Sequence, residues 1–126
     1  MIIAQANPRF EGSWTSTMQQ RYMLGGLGLK SPETKKATGF DELLVAMEKE
    51  TRAFGKPVVY VHGDTHNFRV DKPLVGAKSG RIIENFTRVE TFGFPDTHWV
   101  RGIVDPADPQ VFSFRQEIVK DNAASH

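Results

Sequence analysis

The sequence contains one run of residues, Val58-Val59-Tyr60-Val61, that leads directly into the polar segment His62-Gly63-Asp64-Thr65-His66. A continuous run of β-branched and aromatic residues is typical of a strand that is buried on both of its faces. In open α/β sheets, ligands gather beyond the carboxyl ends of such strands. The polar segment is therefore the first place in this chain to look for a functional site.

An amphipathic helix is predicted immediately before this strand. Apolar residues recur there at helical spacing, namely Phe40, Leu43, Leu44, Met47 and Phe54. We expect Thr38 or Gly39 to cap the start of the helix. Gly55 fits the left-handed position that follows a helix, and Pro57 prevents the helix from continuing.

Further strands are expected on both sides of the helix. Residues 2–6 predict a short buried strand, and three more strands are predicted at residues 86–92, 98–104 and 111–119. Residues 67–81 are polar and are interpreted as a loop. A right-handed crossover would join the first two strands in parallel, and the alternation in the last strand favours an antiparallel arrangement. We therefore expect an α/β fold, a partial layered β-sandwich with a βαβ unit followed by an antiparallel β-meander.

The composition is that of an ordinary globular domain. The chain has 126 residues, of which 39% are hydrophobic and 25% are charged, and its formal net charge is +1. This balance gives no support for nucleic-acid binding by bulk charge, and the absence of cysteine excludes disulfides and thiolate chemistry. No run approaches the ~18 apolar residues of a membrane span. We expect one domain over residues 1–119, a frayed tail over residues 120–126, and a cytoplasmic protein without a membrane partner.

Three side chains of the polar segment are candidate metal ligands. Imidazole and carboxylate groups bind zinc, iron and manganese, and His62, Asp64 and His66 would share one face if the segment stayed extended. One alternative is therefore a mononuclear site that uses all three. Gly63 is expected instead to mark a turn with a close backbone approach that a side chain would block. The segment could also be an ordinary turn in which Asp64 and Thr65 satisfy backbone N–H groups.

Residues 57–66 resemble the last metal-binding block of calcineurin-like metallophosphoesterases, a strand followed by Gly-His-x-His. Gly63 matches the glycine and His66 matches the second histidine, whereas Asp64 stands where the first histidine would be. Gln5, in a strand that is followed by Pro8, stands near the position of an earlier ligand histidine. The resemblance covers about residues 1–10 and 40–118. It implies that His66 is a metal ligand, that Asp64 is a variant ligand, and that Gln5 lies near the same site.

The resemblance also implies an activity that this chain alone cannot complete. The family hydrolyses phosphate esters with two divalent ions such as Mn, Fe or Zn, held about 3.5–4 Å apart. Its motifs Asp-x-His, Gly-Asp-x-x-Asp and Gly-Asn-His cannot be placed ahead of Gln5. We therefore expect the C-terminal part of such an enzyme, or a degenerate relative, which is inactive alone and need not retain an ion. The substrate of the complete enzyme would be a small phosphate ester, and an exposed sheet would favour a homo-oligomer.

Other residues are weaker candidates. Arg69 and Lys72 follow the motif and could bind a phosphate, or could be solvated loop charges. His98 stands beside Asp96 and Trp99 and could line the same cleft, or could be a hydrogen-bonded structural histidine.

The alternative function is a small non-catalytic α/β module that binds a ligand or a protein, with the motif as a structural turn.

Overall fold

The computed structural model describes residues 1–10 and 39–123. The chain divides into two compact units. The first unit consists of Met1–Asn7, Pro57–Asp71 and Phe86–His126, and the second consists of Pro8–Lys56 and Lys72–Asn85. No helix within the described ranges is long and apolar enough to cross a bilayer.

The second unit contains the predicted helix, α1, which spans Asp41–Phe54. The expected end is confirmed, because Gly55 has a left-handed backbone (φ 65°) and its N–H closes the last turn. The expected cap is different. Phe40 occupies the N-cap position without a side-chain hydrogen bond, so Gly39 is not the cap, and Thr38 lies outside the described residues.

The core of the second unit is built from Phe10, from one face of α1 and from two positions of the segment that precedes Asn85. Five apolar side chains there are at most 5% exposed, namely Phe10, Leu44, Met47, Leu74 and Ile83. Leu43 and Phe54, which the helical spacing also placed on the buried face, are exposed. The buried stripe is therefore narrower than the apolar pattern predicts.

The first unit contains a four-stranded sheet with the order β1-β2-β4-β3. The strands are β1 (Ile2–Ile3), β2 (Val58–His62), β3 (Arg69–Asp71) and β4 (Phe86–Glu90). β1 and β4 both run parallel to β2, and β3 runs antiparallel to β4. The mixed α/β class and the parallel pairing of the first two predicted strands are confirmed.

The strand β1 lies at an edge of this sheet. The prediction of a buried strand at residues 2–6 is therefore wrong. Only two residues pair with β2, and Ile3 is 75% exposed. The segment that follows is held by the buried Tyr60, whose hydroxyl donates a hydrogen bond to the carbonyl of Ala6 (3.2 Å). Burial raises the pKa of this Tyr60 hydroxyl.

Two further strands, β5 (Trp99–Val104) and β6 (Phe112–Glu117), form a separate antiparallel pair. The predicted meander of three strands is therefore wrong. The reason is that β4 is a central strand with β2 on one side and β3 on the other, which leaves no free edge for β5. The interpretation of residues 67–81 as a loop is also wrong, because it includes β3.

The end of the described chain forms a short 3-10 turn at Lys120–Asn122. The side-chain amide of Asn122 donates to the carbonyl of Thr97 at 2.6 Å. This bond fastens the residues after β6 to the loop before β5.

Candidate functional site

The loops that follow three parallel strands meet at one edge of the four-stranded sheet, which we call the carboxyl edge. The N–H of Gly63, after β2, donates to the carbonyl of Gln5, after β1 (3.1 Å). The N–H of Thr91, after β4, donates to the carbonyl of His62 (2.9 Å). Backbone hydrogen bonds thus connect the loop after β2 to both of its neighbours. The side chain of Gln5 is exposed beside this loop.

The backbone is strained at two of the candidate ligands. Asp64 has a φ of 92° and His66 has a φ of 66°, and both side chains are exposed. A left-handed conformation costs a non-glycine residue roughly 1–2 kcal/mol. Such strain persists only where the surrounding structure holds the backbone in place, and it clusters at functional sites.

Gly63 is not the sterically required glycine of this loop. Its φ lies outside the left-handed range, and an added Cβ would meet nothing closer than the Gln5 carbonyl oxygen at 3.7 Å, an ordinary contact. The Gln5 backbone does approach Gly63, but the expectation that a side chain at this position would block the approach is wrong. The turn is made by the left-handed residues Asp64 and His66 instead.

The ring of His66 has a fixed orientation. Its Nδ1 lies 2.8 Å from the carbonyl oxygen of Phe94. Because a carbonyl oxygen only accepts, Nδ1 carries the hydrogen, and Nε2 carries the lone pair of the neutral ring. Metal-binding histidines are oriented by such a bond from the other ring nitrogen.

A glycine on the far side of the site makes room for this ring. A Cβ built on Gly93 would lie 2.7 Å from Nε2 of His66 and closer still to two ring carbons. Gly93 and Phe94 were not predicted as site residues, because the segment that contains them was interpreted only as a turn between strands.

Thr65, between the two strained residues, is fastened to a buried carboxylate. The N–H of Thr65 donates to Oε1 of Glu90 at 3.1 Å, and the Thr65 hydroxyl donates to the same oxygen. Oε2 of Glu90 accepts from the guanidinium of Arg69. Glu90 is fully buried at the end of β4. Sequence reasoning missed it because a glutamate in a strand resembles a solvent-facing residue.

Glu90 is ionised at neutral pH in spite of its burial. Burial disfavours the charged carboxylate, but the hydrogen bonds from Thr65 and Arg69 and the charge of Arg69 outweigh that penalty. The net result is a Glu90 pKa below its ordinary value.

A second ion pair joins the same two strands with the opposite polarity. Arg88 on β4 is 1% exposed and binds both carboxylate oxygens of Asp71 on β3, one of them at 2.7 Å. In the first pair the buried partner is Glu90, and in this one it is Arg88. The register places Arg69 opposite Glu90 and Asp71 opposite Arg88. Both pairs therefore lie on one face of the sheet.

His62 does not join Asp64 and His66. It is 1% exposed, and its Nδ1 donates to the carbonyl of Gly63 at 2.6 Å. Within residues 1–10 and 39–123, no three His, Cys, Asp or Glu side chains come close enough together to hold a metal ion. The described residues therefore do not assemble the mononuclear site that the alternating spacing suggested.

The predicted phosphate-binding residues have partners within the protein. Arg69 binds Glu90, and the ammonium group of Lys72 donates to the carbonyl of Glu84. Arg69 retains 36% of its side-chain exposure, so a substrate-binding role remains a prediction for it.

His98 makes the contacts of a structural residue. Its ring meets the ring of Phe92 edge-on, with centroids 4.9 Å apart. Its Nδ1 accepts a hydrogen bond from the N–H of Val119 at 3.3 Å. The hydrogen of the neutral ring is therefore on Nε2, so His98 has the opposite tautomer to His66.

Comparisons with known proteins give no further guide to the site. No protein-family model, curated protein or solved structure matches the chain.

Proposed function

We propose that Asp64 and His66 are ligands for a divalent metal ion, and that the chain is the C-terminal region of a calcineurin-like metallophosphoesterase. The observation that carries the proposal is the orientation of His66. Its Nδ1 donates to Phe94 at 2.8 Å, which leaves the Nε2 lone pair on an exposed side chain at the carboxyl edge. The strained backbone of both residues and the resemblance of residues 57–66 also support it.

The donor set suits such an ion but is incomplete. An imidazole nitrogen and a carboxylate oxygen both bind Mn, Fe or Zn. Zinc sites in proteins use three or four protein ligands, and the described residues do not bring three of the usual kind together. We therefore assign two ligands of a larger site to Asp64 and His66, with Gln5 beside them. In the complete enzyme, the bound ions would polarise the phosphoryl group of a small phosphate ester and activate water.

The proposal predicts weak metal binding without turnover. Calorimetric titration of the whole chain with Mn or Zn should show one weak binding event that His66→Ala abolishes. His98→Ala is the matched control, because the lone pair of His98 is already used by Val119. A wild-type chain that gives no binding heat, or an equal loss in both variants, would overturn the metal assignment. Turnover of an aryl phosphate by the chain with Mn would contradict the claim that it is incomplete.

A second candidate is a non-catalytic α/β module that binds a protein. It is favoured by the exposed apolar side chains of β5, where Trp99, Ile103 and Val104 are each at least 50% exposed. Exposed apolar groups that cluster on one element are a feature of interaction surfaces. The titration discriminates the two functions, since a module with a purely structural motif would bind no ion and would lose nothing in His66→Ala.

A further inference from the structure

We infer that Glu90 is a positioning residue that acts through Thr65 to hold Asp64 and His66 in their strained conformations. The link to Glu90 is made by Thr65, the residue between Asp64 and His66, which donates both its N–H and its hydroxyl to that carboxylate. The carboxylate therefore holds the middle residue of the turn, and the two candidate ligands are the residues immediately before and after it.

The two hydrogen bonds from Thr65 depend on the placement of Glu90 in the sheet. Glu90 is the last residue of β4, opposite His62 in the parallel register and opposite Arg69 in the antiparallel one. It is 0% exposed, so water does not compete for its oxygens. A buried charged acceptor makes stronger hydrogen bonds than an exposed neutral one.

Arg69 completes the arrangement. Its guanidinium binds the second oxygen of Glu90, which leaves the first oxygen for Thr65. The chain Arg69–Glu90–Thr65 thus runs from the outer strand β3, across β4, to the loop after β2. Two strands of the sheet fix one loop, and this matches the requirement that a strained backbone be held by its surroundings.

The role of Arg69 changes accordingly. The sequence presents it as a cation that could meet a phosphate, but the ion pair gives it a second role as the counter-charge that keeps Glu90 ionised. This inference relies on the proposed function only for what the loop binds. The positioning itself is a property of the chain without metal.

The test compares four variants. Glu90→Gln removes the charge, Thr65→Val removes the hydroxyl donor without changing the shape of the side chain, and Thr65→Ser restores a hydroxyl. Asp71→Asn is the matched control, because Asp71 belongs to the other ion pair between β3 and β4, and its substitution leaves Arg69, Glu90 and Thr65 unchanged.

Two measurements are made without metal. In the wild type, nitrogen NMR should find the neutral His66 ring with its hydrogen on Nδ1, and the amide of Thr65 should exchange slowly. Glu90→Gln should speed that exchange on the order of tenfold, since a hydrogen bond to a charged acceptor is stronger than one to a neutral acceptor by a free energy that corresponds to about that factor. Glu90→Gln and Thr65→Val should give a mixture of His66 tautomers. Thr65→Ser and Asp71→Asn should resemble the wild type.

A third measurement uses Mn in the calorimeter. Loss of a residue that orients a ligand typically weakens metal binding about 10- to 100-fold, and we expect that loss for Glu90→Gln and Thr65→Val alone. The inference is overturned if Thr65→Val matches the wild type in the His66 tautomer, or if Asp71→Asn changes the loop as much as Glu90→Gln. If the wild type binds no Mn, the metal assignment fails, while exchange and tautomer still decide the positioning role.

Discussion

Replacement of Gly93 by alanine should disturb His66, whereas the same replacement of Gly63 should not. A Cβ on Gly93 would lie 2.7 Å from Nε2 of His66, and a Cβ on Gly63 would lie 3.7 Å from its nearest neighbour. The expectation runs against the sequence motif, in which Gly63 matches the family glycine. The two variants form a matched pair, because both glycines lie next to the same loop.

The effect of Gly93→Ala on the free energy of unfolding has two parts. Alanine reduces the conformational freedom of the unfolded chain, which stabilises the fold by roughly 0.4–1 kcal/mol where the backbone permits it. Displacement of the His66 ring from Phe94 loses a hydrogen bond of about 1 kcal/mol, and a ring that stays in place adds overpacking strain of up to about 3 kcal/mol. The exposed His66 can move into solvent, so we expect the smaller cost and a small net change.

A double-mutant cycle separates these parts. In a His66→Ala background the colliding ring is absent, so Gly93→Ala should stabilise the fold instead of straining it. The coupling free energy between positions 66 and 93, from urea unfolding of the four proteins, should be about 1 kcal/mol. Gly63→Ala should show no coupling to His66→Ala. Additive effects of Gly93→Ala and His66→Ala, within about 0.3–0.5 kcal/mol, would refute the steric reasoning.

Three further predictions concern the rest of the fold. The pKa of Glu90 is lowered in the folded state, so its carboxylate stabilises the fold above the ordinary glutamate value of 4.5, and this stabilisation is lost as the pH falls through the folded pKa. The free energy of unfolding, measured as a function of pH, should show this loss in the wild type and a smaller loss in Glu90→Gln. Leu44→Ala should cost about 2–5 kcal/mol because Leu44 is 1% exposed, and Val45→Ala, at a position that is 47% exposed, should cost far less in the same urea assay. Gly55→Ala should destabilise α1 by about 1 kcal/mol because its φ is 65°, whereas Gly39→Ala, with no atom within 4 Å of the new Cβ, should be close to neutral in thermal unfolding.

Local sequence signals were sufficient to predict the helix α1 and the strand β2. The periodic apolar residues of α1 and the glycine that follows it act within a few residues of each other. The β-branched run of β2 identifies a buried strand for the same reason. Elements whose stability comes from neighbouring residues can be predicted from a single sequence.

The partners of β4 could not be predicted in this way. β3 has only three residues, and it is recognisable as a strand mainly through Arg69 and Asp71, whose partners Glu90 and Arg88 lie 21 and 17 positions further along the chain. A charged residue in a strand is ordinarily assigned to the solvent side. Here Glu90 and Arg88 on β4 are buried, and each meets an oppositely charged partner on the neighbouring strand β3.

The candidate site shows the same division between local and distant causes. Asp64 and His66 were found from residue type and from their position after β2. The group that orients His66 is a backbone carbonyl 28 residues away, and a carbonyl carries no signal in the sequence. Glu90 was missed because its partner Thr65 is 25 residues distant.

The two ion pairs between β3 and β4 also specify the direction of β3. With β3 antiparallel, Arg69 faces Glu90 and Asp71 faces Arg88. If β3 ran parallel to β4 with the same side chains on this face, Arg69 would face Arg88 and Asp71 would face Glu90. Like charges directly opposite each other are destabilising, and here one member of each such pair would be buried. The order of the two charges in this three-residue strand thus favours its antiparallel orientation. A strand this short offers few other interactions that could specify its direction.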